Sequence, residues 1–226
     1  NILSPPETGN NAEVTSEYRM FGDALIFASA KTELTLAERF MKRTFDIIGA
    51  SILLILTLPL FLLSALMIKL DDHGKVFFTQ LRATKGGKPF KIYKFRTMIE
   101  SEATKPMQET DNRVTRAGRI LRATRLDELP QFLNILGGSM SLVGPRPEQL
   151  VYLHGFDGNY PEYEYRLRVK AGLTGFAQIE GKYNTTNKEK LMLDLMYIQS
   201  YSLWLDLKLM LQTVLVMLKE DSTEGF

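Results

Sequence analysis

The strongest constraint on this chain is an uncharged apolar run from Ile47 to Ile68. At about 22 residues, the run is long enough to cross the hydrocarbon core of a bilayer as a helix. A buried core helix is the alternative, but a run that is apolar on every side would need a larger protein to cover it. The chain has only 226 residues and a mean hydropathy of -0.10. We therefore expect one membrane segment attached to one small domain, rather than a polytopic membrane protein.

The run can be placed in the membrane in two ways, as a spanning helix or as a re-entrant hairpin that returns to the same face. Pro59 lies near its middle, where the missing N–H and the ring interrupt a helix. Basic residues flank both ends, so the positive-inside bias selects no single orientation. They are Arg39, Lys42 and Arg43 before the run and Lys69 and Lys75 after it. Both features favour the hairpin, although proline is also tolerated in spanning helices.

Two short runs after the membrane segment predict a β-hairpin. They cover residues 76–81 and 90–95, and Gly86-Gly87 between them marks the turn. The sequence KGGK at this turn invites comparison with a phosphate-binding loop. It lacks the spacing of that motif and does not open a helix, so we interpret it as a turn.

The composition limits the chemistry that the domain can perform. Cysteine is absent, which excludes disulfides, thiolate zinc sites and cysteine nucleophiles. The two histidines, His73 and His154, are too few for a histidine-rich metal cluster. A formal net charge of +2 gives no reason to expect a nucleic-acid partner. Acid–base or nucleophilic chemistry must then come from carboxylates, lysines, tyrosines or hydroxyls.

The segment 125–136 predicts a helix that begins with two carboxylates. Its apolar residues recur at helical spacing and are Leu129, Phe132, Leu133 and Leu136. Pro130 suits a first turn, so we expect the helix to begin around Asp127, with Asp127 near the N-cap and Glu128 in the first turn. One interpretation is structural, because both carboxylates would stabilise the helix start. The other is functional: one carboxylate lies beside an anion site, and its neighbour holds Mg²⁺ against a diphosphate.

Arginine recurs at every third position before this helix and again in a turn after it. The five regularly spaced residues are Arg113, Arg116, Arg119, Arg122 and Arg125. A step of three drifts around an α-helix, so the five cannot share one face. A solvated helix surface and phosphate contacts by one or two of them both remain open. Arg146 lies between Pro145 and Pro147, which restrict the backbone and suit a guanidinium held for a phosphate.

Together these segments resemble a known family. FKIYKFRTM (90–98), LDELPQFLNILGGSMSLVGPRPE (126–148) and AGLTGFAQIEGK (171–182), followed by Asp194 and SLWLDLKLM (202–210), are similar to the monotopic phosphoglycosyl transferases, which are bacterial sugar transferases. The resemblance covers residues 39–220, with the segments in the same order throughout.

The resemblance implies a fold class and a reaction. The fold would be α+β: a small, mostly helical catalytic domain with a β-hairpin, preceded by a proline-broken re-entrant membrane helix. Members of this family transfer a sugar 1-phosphate from a UDP-sugar to polyprenyl (undecaprenyl) phosphate through a covalent phosphosugar–aspartyl intermediate. They need Mg²⁺ and release UMP. The reaction is the first membrane step of exopolysaccharide, capsule or other glycoconjugate synthesis.

The resemblance also implies roles for single residues. By motif, Asp127 is the expected nucleophile and Glu128 its partner carboxylate, and both are expected at the metal. The residues expected to bind substrate or its phosphates are Lys94, Arg96, Arg122, Arg146, Gln178 and Asp194. One departure concerns the membrane helix. The family often has Ser-Pro at the break, whereas this chain has Leu58-Pro59, so the serine hydroxyl is missing.

The expected organisation has four parts. Residues 1–36 are an N-terminal linker, interpreted as the end of a truncated upstream region, and 37–75 are the re-entrant helix-hairpin. Residues 76–200 form the cytosolic catalytic domain, and 201–226 a C-terminal amphipathic or interfacial helix. We expect the bacterial cytoplasmic (inner) membrane as the location and membrane lipids as partners beside the two substrates; a homo-oligomer stays open. The alternatives are a non-catalytic membrane-anchored module and a glycosyltransferase that releases UDP.

Overall fold

The computed structural model describes residues 16–21, 24–29, 34–99, 113–150, 161–181 and 185–217. In these ranges the chain is helix-rich, and its strands pair into two-stranded sheets. The α-helices are α1 (Leu36–Asp72), α2 (Arg116–Ala123), α3 (Gln131–Leu136), α4 (Phe176–Ile179), α5 (Asn187–Gln199) and α6 (Leu203–Met217). The strands are β1 (Ser16–Phe21), β2 (Ala24–Ser29), β3 (Phe77–Ala83), β4 (Pro89–Phe95), β5 (Ser141–Val143) and β6 (Gly172–Thr174). This agrees with the helix-rich α+β class; the catalytic role of the domain stays a prediction.

The apolar run lies inside one long helix, α1, of 37 residues. A capping box starts the helix: the Thr35 hydroxyl accepts from the Glu38 N–H, and the Glu38 carboxylate accepts from the Thr35 N–H. The helix ends where His73 adopts a left-handed backbone with φ 58°. Among the helices that the structure describes, α1 is the one that is long and apolar enough to cross a membrane.

Pro59 lies in the interior of α1, and the helix continues on both sides of it. The hydroxyls of Thr57 and Ser64 each donate to the backbone carbonyl four residues earlier, at 2.7 Å. Such bonds often bend helices. Leu58 has no hydroxyl, but Thr57, the residue before it, provides one in the turn that precedes the proline. A break at Pro59 and a re-entrant course stay predictions.

Both ends of α1 contact the same domain. Near the start of the helix, Asp46 accepts hydrogen bonds from Ser141 Oγ at 2.9 Å and from the Leu142 N–H at 3.0 Å. At its end, Asp71 accepts from the Ala117 N–H in α2 at 3.0 Å. The apolar side chains between these two contacts are largely exposed. The helix thus meets the domain at two places that flank the exposed run.

A buried ion pair fixes the start of α1. Lys42 Nζ lies 2.7 Å from Asp206 Oδ2 on α6, and the other oxygen of Asp206 accepts from the Tyr197 hydroxyl at 2.8 Å. The neighbouring Arg43 donates to the carbonyls of the last two residues of α3. Lys42 and Arg43, the basic residues before the apolar run, thus bind protein groups, and Lys42 is buried.

The predicted β-hairpin after the membrane segment is confirmed. Strands β3 and β4 pair in antiparallel register, with Phe77 opposite Phe95 and Ala83 opposite Pro89. The turn between them contains Gly86 and Gly87 at φ 69° and 70°. These positive values favour glycine and agree with the interpretation of the pair as a turn.

Two apolar clusters form the core and meet at the segment with the two carboxylates. The larger cluster packs around the parallel pair of β5 and β6; its buried members include Ala50, Ile135, Met140, Leu142, Val143, Tyr197 and Leu209. The smaller cluster lies at the far end of α1 and consists of Ile68, Phe95, Ala117 and Leu121. Leu129 packs against both clusters. Because Leu129 directly follows Glu128, this packing anchors the backbone of the carboxylate pair.

Two predicted segment boundaries differ from the structure. Part of the expected linker 1–36 is paired, since β1 and β2 form an antiparallel hairpin. The C-terminal helix expected from residue 201 begins at Leu203 in the structure, and α5 ends before it at Gln199. Tyr201 in the connection is buried, whereas Trp204 at the start of α6 is 74% exposed. The two aromatic residues therefore face different environments.

Candidate active site

The two carboxylates lie in a short 3-10 turn, Leu126–Glu128, ahead of α3. The helix itself begins only at Gln131, after Pro130, and no side chain caps it. The prediction that Asp127 caps a helix is therefore wrong, because the 3-10 turn and the proline separate the carboxylates from α3. Arg125 precedes the turn with a left-handed backbone at φ 54°, an uncommon conformation for a residue with a side chain.

Lys94 on β4 brings a positive charge to both carboxylates. Its Nζ lies 2.7 Å from Glu128 Oε1 and 3.9 Å from Asp127 Oδ2. Arg146 also approaches the pair, with Nη2 at 3.6 Å from Glu128 Oε1. The side chains of Asp127 and Glu128 are 15% and 19% exposed. The fold thus joins four residues predicted for the site, from three separate parts of the chain.

The two carboxylates have opposite electrostatic environments. Burial pushes the pKa of Glu128 upward, but Lys94, Arg146 and Arg125 outweigh it and hold the pKa at about 2. Burial raises the pKa of Asp127, and the Glu128 charge raises it further, while Lys94 and Arg122 oppose the rise only in part. Separated pKa values in adjacent acids indicate different roles rather than a shared proton.

The turn that carries Arg146 is held on β6 by backbone hydrogen bonds. The Gly172 N–H donates to the Pro145 carbonyl, and the Gly144 N–H donates to the Thr174 carbonyl, both at 2.8 Å. A Cβ on Gly172 would lie 2.1 Å from the Gly144 nitrogen, so this close approach requires glycine. The Arg146 side chain remains 40% exposed at the edge of the site.

A pocket that is open to solvent adjoins Glu128. Its charged lining residues are Arg82, Lys94, Glu128 and Arg146, and apolar walls come from Ile92 and Leu173. Three cationic groups face one carboxylate there. This balance suits an anionic ligand such as a diphosphate.

Two of the regularly spaced arginines reach the site. The charge of Arg122 lowers the pKa of Asp127, and Arg125 immediately precedes the 3-10 turn. Arg116 and Arg119 are exposed on α2 instead. Arg122 and Arg125 therefore belong to the site, whereas Arg116 and Arg119 belong to a solvated helix surface.

Arg96 was predicted near phosphates, and the structure directs it elsewhere. Its side chain is 8% exposed and forms an ion pair with Asp72 at the end of α1. Its Nε donates to the Lys75 carbonyl at 2.6 Å. These contacts tie β4 to the membrane helix, and a phosphate-binding role for Arg96 stays a prediction.

Asp194 and Gln178 are not among the residues that line the pocket. Asp194 on α5 is 1% exposed, and its Oδ2 lies 2.7 Å from Arg166 Nη2. Burial raises the pKa of Asp194 to about 6, although Arg166 opposes the rise. The amide atoms of Gln178 on α4 are buried and have no hydrogen-bond partner in the part of the chain that the structure describes. Substrate-binding roles for both residues stay predictions.

Two further arginines lie at or behind the site and were not predicted from the sequence. Arg82 lines the pocket and donates to the Pro147 carbonyl at 3.2 Å. Arg166 binds Glu148 and Asp194. Both sets of contacts join residues that are far apart in the chain, and no local pattern in the sequence marks either arginine.

The carboxylate pair fits a magnesium ion only together with a ligand. Proteins usually bind Mg²⁺ through one or two carboxylates plus substrate phosphates and water, which Asp127 and Glu128 can satisfy. No group of three or more acidic, histidine or cysteine residues forms a metal site within the described ranges. The residues of the site can thus hold an anionic ligand beside two carboxylates, together with a cation that the ligand itself helps to bind.

Known proteins share most of this chain. The sequence profile of the family described as bacterial sugar transferase matches residues 37–220. A UDP-glucose:undecaprenyl-phosphate glucose-1-phosphate transferase of Caulobacter vibrioides is 46% identical over 189 residues, which cover 80% of this chain and 71% of that protein.

Two further relatives are much longer than the chain. The protein of the same name from Escherichia coli K12 is 40% identical over 191 residues, covering 81% of this chain and 41% of the relative. A UDP-N-acetylgalactosamine-undecaprenyl-phosphate N-acetylgalactosaminephosphotransferase of Aeromonas hydrophila is 44% identical over 181 residues, covering 77% and 43%. The chain therefore spans less than half the length of these two relatives.

Proposed function

The chain belongs to the bacterial sugar transferase family, and from this premise we propose that it transfers a sugar 1-phosphate from a UDP-sugar to undecaprenyl phosphate. The names of the similar proteins specify glucose or N-acetylgalactosamine, so the sugar is left open. The location proposed is the cytoplasmic face of the inner membrane, where both the nucleotide-sugar and the lipid phosphate can reach one site.

The observation that carries this proposal is the asymmetry of the carboxylate pair. Glu128 lies within hydrogen-bonding distance of Lys94, and its pKa is held at about 2. Asp127 lies 3.9 Å from the same ammonium, beyond a hydrogen bond, and burial raises its pKa. A less strongly held, more basic carboxylate is the better nucleophile, so we assign attack to Asp127 and electrostatic support to Glu128.

Two displacements at one phosphorus atom complete the reaction. First, an Asp127 oxygen bonds to the β-phosphorus of the UDP-sugar, and the bond from that phosphorus to the bridging oxygen breaks, which releases UMP. Second, an oxygen of undecaprenyl phosphate bonds to the same phosphorus, and the bond to Asp127 breaks. Lys94 and Arg146 lie where they can stabilise the negative charge of the phosphate oxygens in both steps.

Magnesium belongs to this proposal, and Asp127 and Glu128 would hold it together with the diphosphate of the substrate. When bound, it would neutralise the charge of the diphosphate. Arg82 and Arg146, which line the pocket, would also stabilise the charge of the diphosphate.

A re-entrant course for α1 is also part of the proposal. A spanning helix would put its two flanks on opposite sides of a hydrocarbon core about 30 Å thick. Yet Lys42 and Asp46 at one end, and Asp71 and Asp72 at the other, all bind the same small domain. These contacts support a hairpin whose exposed apolar centre enters the membrane from the side of the domain.

The exposed apolar face of α6 supports the predicted interfacial helix. Trp204 is 74% exposed, and its neighbours on the outer face, Leu211, Val214 and Leu215, are 60%, 55% and 61% exposed. Asp206 and Leu209 on the inner face are fully buried. A helix with one face in the core and an apolar face with tryptophan outside suits the headgroup level of a bilayer.

The product nucleotide tests the proposed reaction. The protein in nanodiscs is incubated with undecaprenyl phosphate, Mg²⁺ and a panel of UDP-sugars, and the released nucleotide is identified by chromatography. We expect UMP with at least one sugar, and loss of UMP when EDTA replaces Mg²⁺. UDP as the product would instead indicate ordinary glycosyl transfer. No nucleotide from any sugar, with the protein folded, would favour the non-catalytic module.

A further inference from the structure

The loop that carries Arg146 receives a hydrogen bond on four successive carbonyl groups. The donors to the carbonyls of Pro145, Arg146, Pro147 and Glu148 are, in order, the Gly172 N–H (2.8 Å), Arg166 Nη2 (3.1 Å), Arg82 Nη1 (3.2 Å) and the Ala83 N–H (2.9 Å). Surface loops usually leave such groups to water. This loop is instead held from β3, from β6 and from the 3-10 helix Pro161–Arg168.

Arg166 makes the central one of these contacts, on the residue that reaches the site. Its side chain is 2% exposed, with Nη1 at 2.9 Å from Glu148 Oε1. Its Nη2 donates to the Arg146 carbonyl at 3.1 Å and forms an ion pair with Asp194 Oδ2 at 2.7 Å. One planar guanidinium therefore joins α5 to two residues of the loop, a geometry that a single ammonium group cannot reproduce.

The position of Arg146 depends on this support. Its Nη2 lies 3.6 Å from Glu128 Oε1, longer than a hydrogen bond, so contact with Glu128 alone does not fix the side chain. The hydrogen bonds to its loop set the backbone position from which the guanidinium reaches the site. Displacement of a phosphate-binding group by about 1 Å can lower a rate by about 100-fold.

We infer that Arg166, held by Asp194, is a positioning residue that sets Arg146 at the phosphate site. The inference rests on the proposed function, in which Arg146 binds the phosphates of the substrate. It gives Asp194 a role different from the substrate contact that the family resemblance implied. Asp194 neutralises the buried Arg166 charge and orients its fork toward the loop.

A double-mutant cycle on UMP release tests the inference. We expect Arg166→Lys and Asp194→Asn each to lower kcat/KM for the UDP-sugar by about 10- to 100-fold. In an Arg146→Ala background, the same replacements should lower it by less than about threefold, because the group they position is already absent. Arg168→Lys is the matched control: Arg168 lies two residues after Arg166, stacks on the Tyr165 ring, and its replacement should leave kcat/KM unchanged.

Hydrogen exchange gives a second readout that needs no turnover. Mass spectrometry of a peptide covering residues 140–150 should show exchange at least about tenfold faster in Arg166→Lys than in the wild type, with exchange in β3 and β4 unchanged. Additive losses in the cycle, or unchanged exchange in the loop, would overturn the inference. If the wild type releases no UMP, the proposed function fails, and the exchange experiment alone still decides whether Arg166 orders the loop.

Discussion

Replacing Lys42 with methionine should destabilise the docking of α1 on the domain. Lys42 Nζ lies 2.7 Å from Asp206 Oδ2, and the two side chains are 8% and 0% exposed, so water screens the remaining charge poorly. Removing one partner of such a pair costs about 3–5 kcal/mol. The Tyr197 hydroxyl still donates to Asp206 at 2.8 Å, which favours the lower end of this energy range. We expect the free energy of unfolding to fall by about 3 kcal/mol near neutral pH.

The loss of stability caused by Lys42→Met should grow as the pH rises. Burial raises the pKa of Asp206 even with Lys42 present, and removal of the ammonium raises it further. A carboxyl group whose pKa is higher in the folded than in the unfolded state contributes stability at low pH, which is lost as the pH rises through the folded-state pKa. The free energy of unfolding of the Lys42→Met variant should therefore be closer to that of the wild type at about pH 5 than at about pH 8.

Urea titration in a mild detergent, followed by circular dichroism, measures both effects. The single tryptophan, Trp204, lies two residues before Asp206 and supplies a second probe by fluorescence. Lys69→Met, which removes an exposed lysine near the other end of α1, is the control and should change little. Replacing both partners, with Asp206→Leu added, should recover much of the loss. A Lys42→Met variant within about 0.5 kcal/mol of the wild type at every pH would refute the reasoning.

Three further predictions concern the site and the membrane segment. Arg146→Lys should lower kcat/KM for the UDP-sugar by about 10-fold or more, because a point charge replaces a fork; near-normal kinetics would show that the guanidinium is dispensable. Activity should fall as the pH drops through the raised pKa of Asp127, and Lys94→Met should move this acid limb of kcat/KM to higher pH; an unmoved limb would contradict the assigned nucleophile. Cysteines introduced singly at Arg39 and Lys75 should be labelled from the same side of sealed vesicles, and labelling from opposite sides would establish a spanning helix.

The predictions that agree with the structure rest on local sequence. The hairpin of β3 and β4 follows from two short runs and a Gly-Gly turn. The residues that determine this turn are neighbours in the chain, so the pattern is visible without the fold. The two prolines beside Arg146 indicate a restricted backbone, but the groups that hold this loop, among them Gly172, Arg166 and Arg82, lie elsewhere in the chain.

The remaining features depend on contacts across the chain. Lys42, a basic residue beside the apolar run, forms a buried ion pair with Asp206, which is 164 residues away. Arg96 lies in a motif that suggested phosphate binding, yet Asp72 on α1 holds its side chain. The prediction of where α3 begins is wrong for a different reason. Pro130 is compatible with the first turn of a helix and also with the position just before a helix. The 3-10 turn Leu126–Glu128, which places Pro130 before α3, has no strong sequence pattern.

The most direct test of the account is detection of the covalent intermediate on Asp127. The protein is incubated with Mg²⁺ and the UDP-sugar that gives UMP, without the lipid acceptor, and its peptides are analysed by mass spectrometry. The account predicts a phosphosugar adduct on Asp127 that disappears on addition of undecaprenyl phosphate and is absent from Asp127→Asn. Full turnover by Asp127→Asn, or UMP release from the wild type with the adduct on another residue, would contradict it.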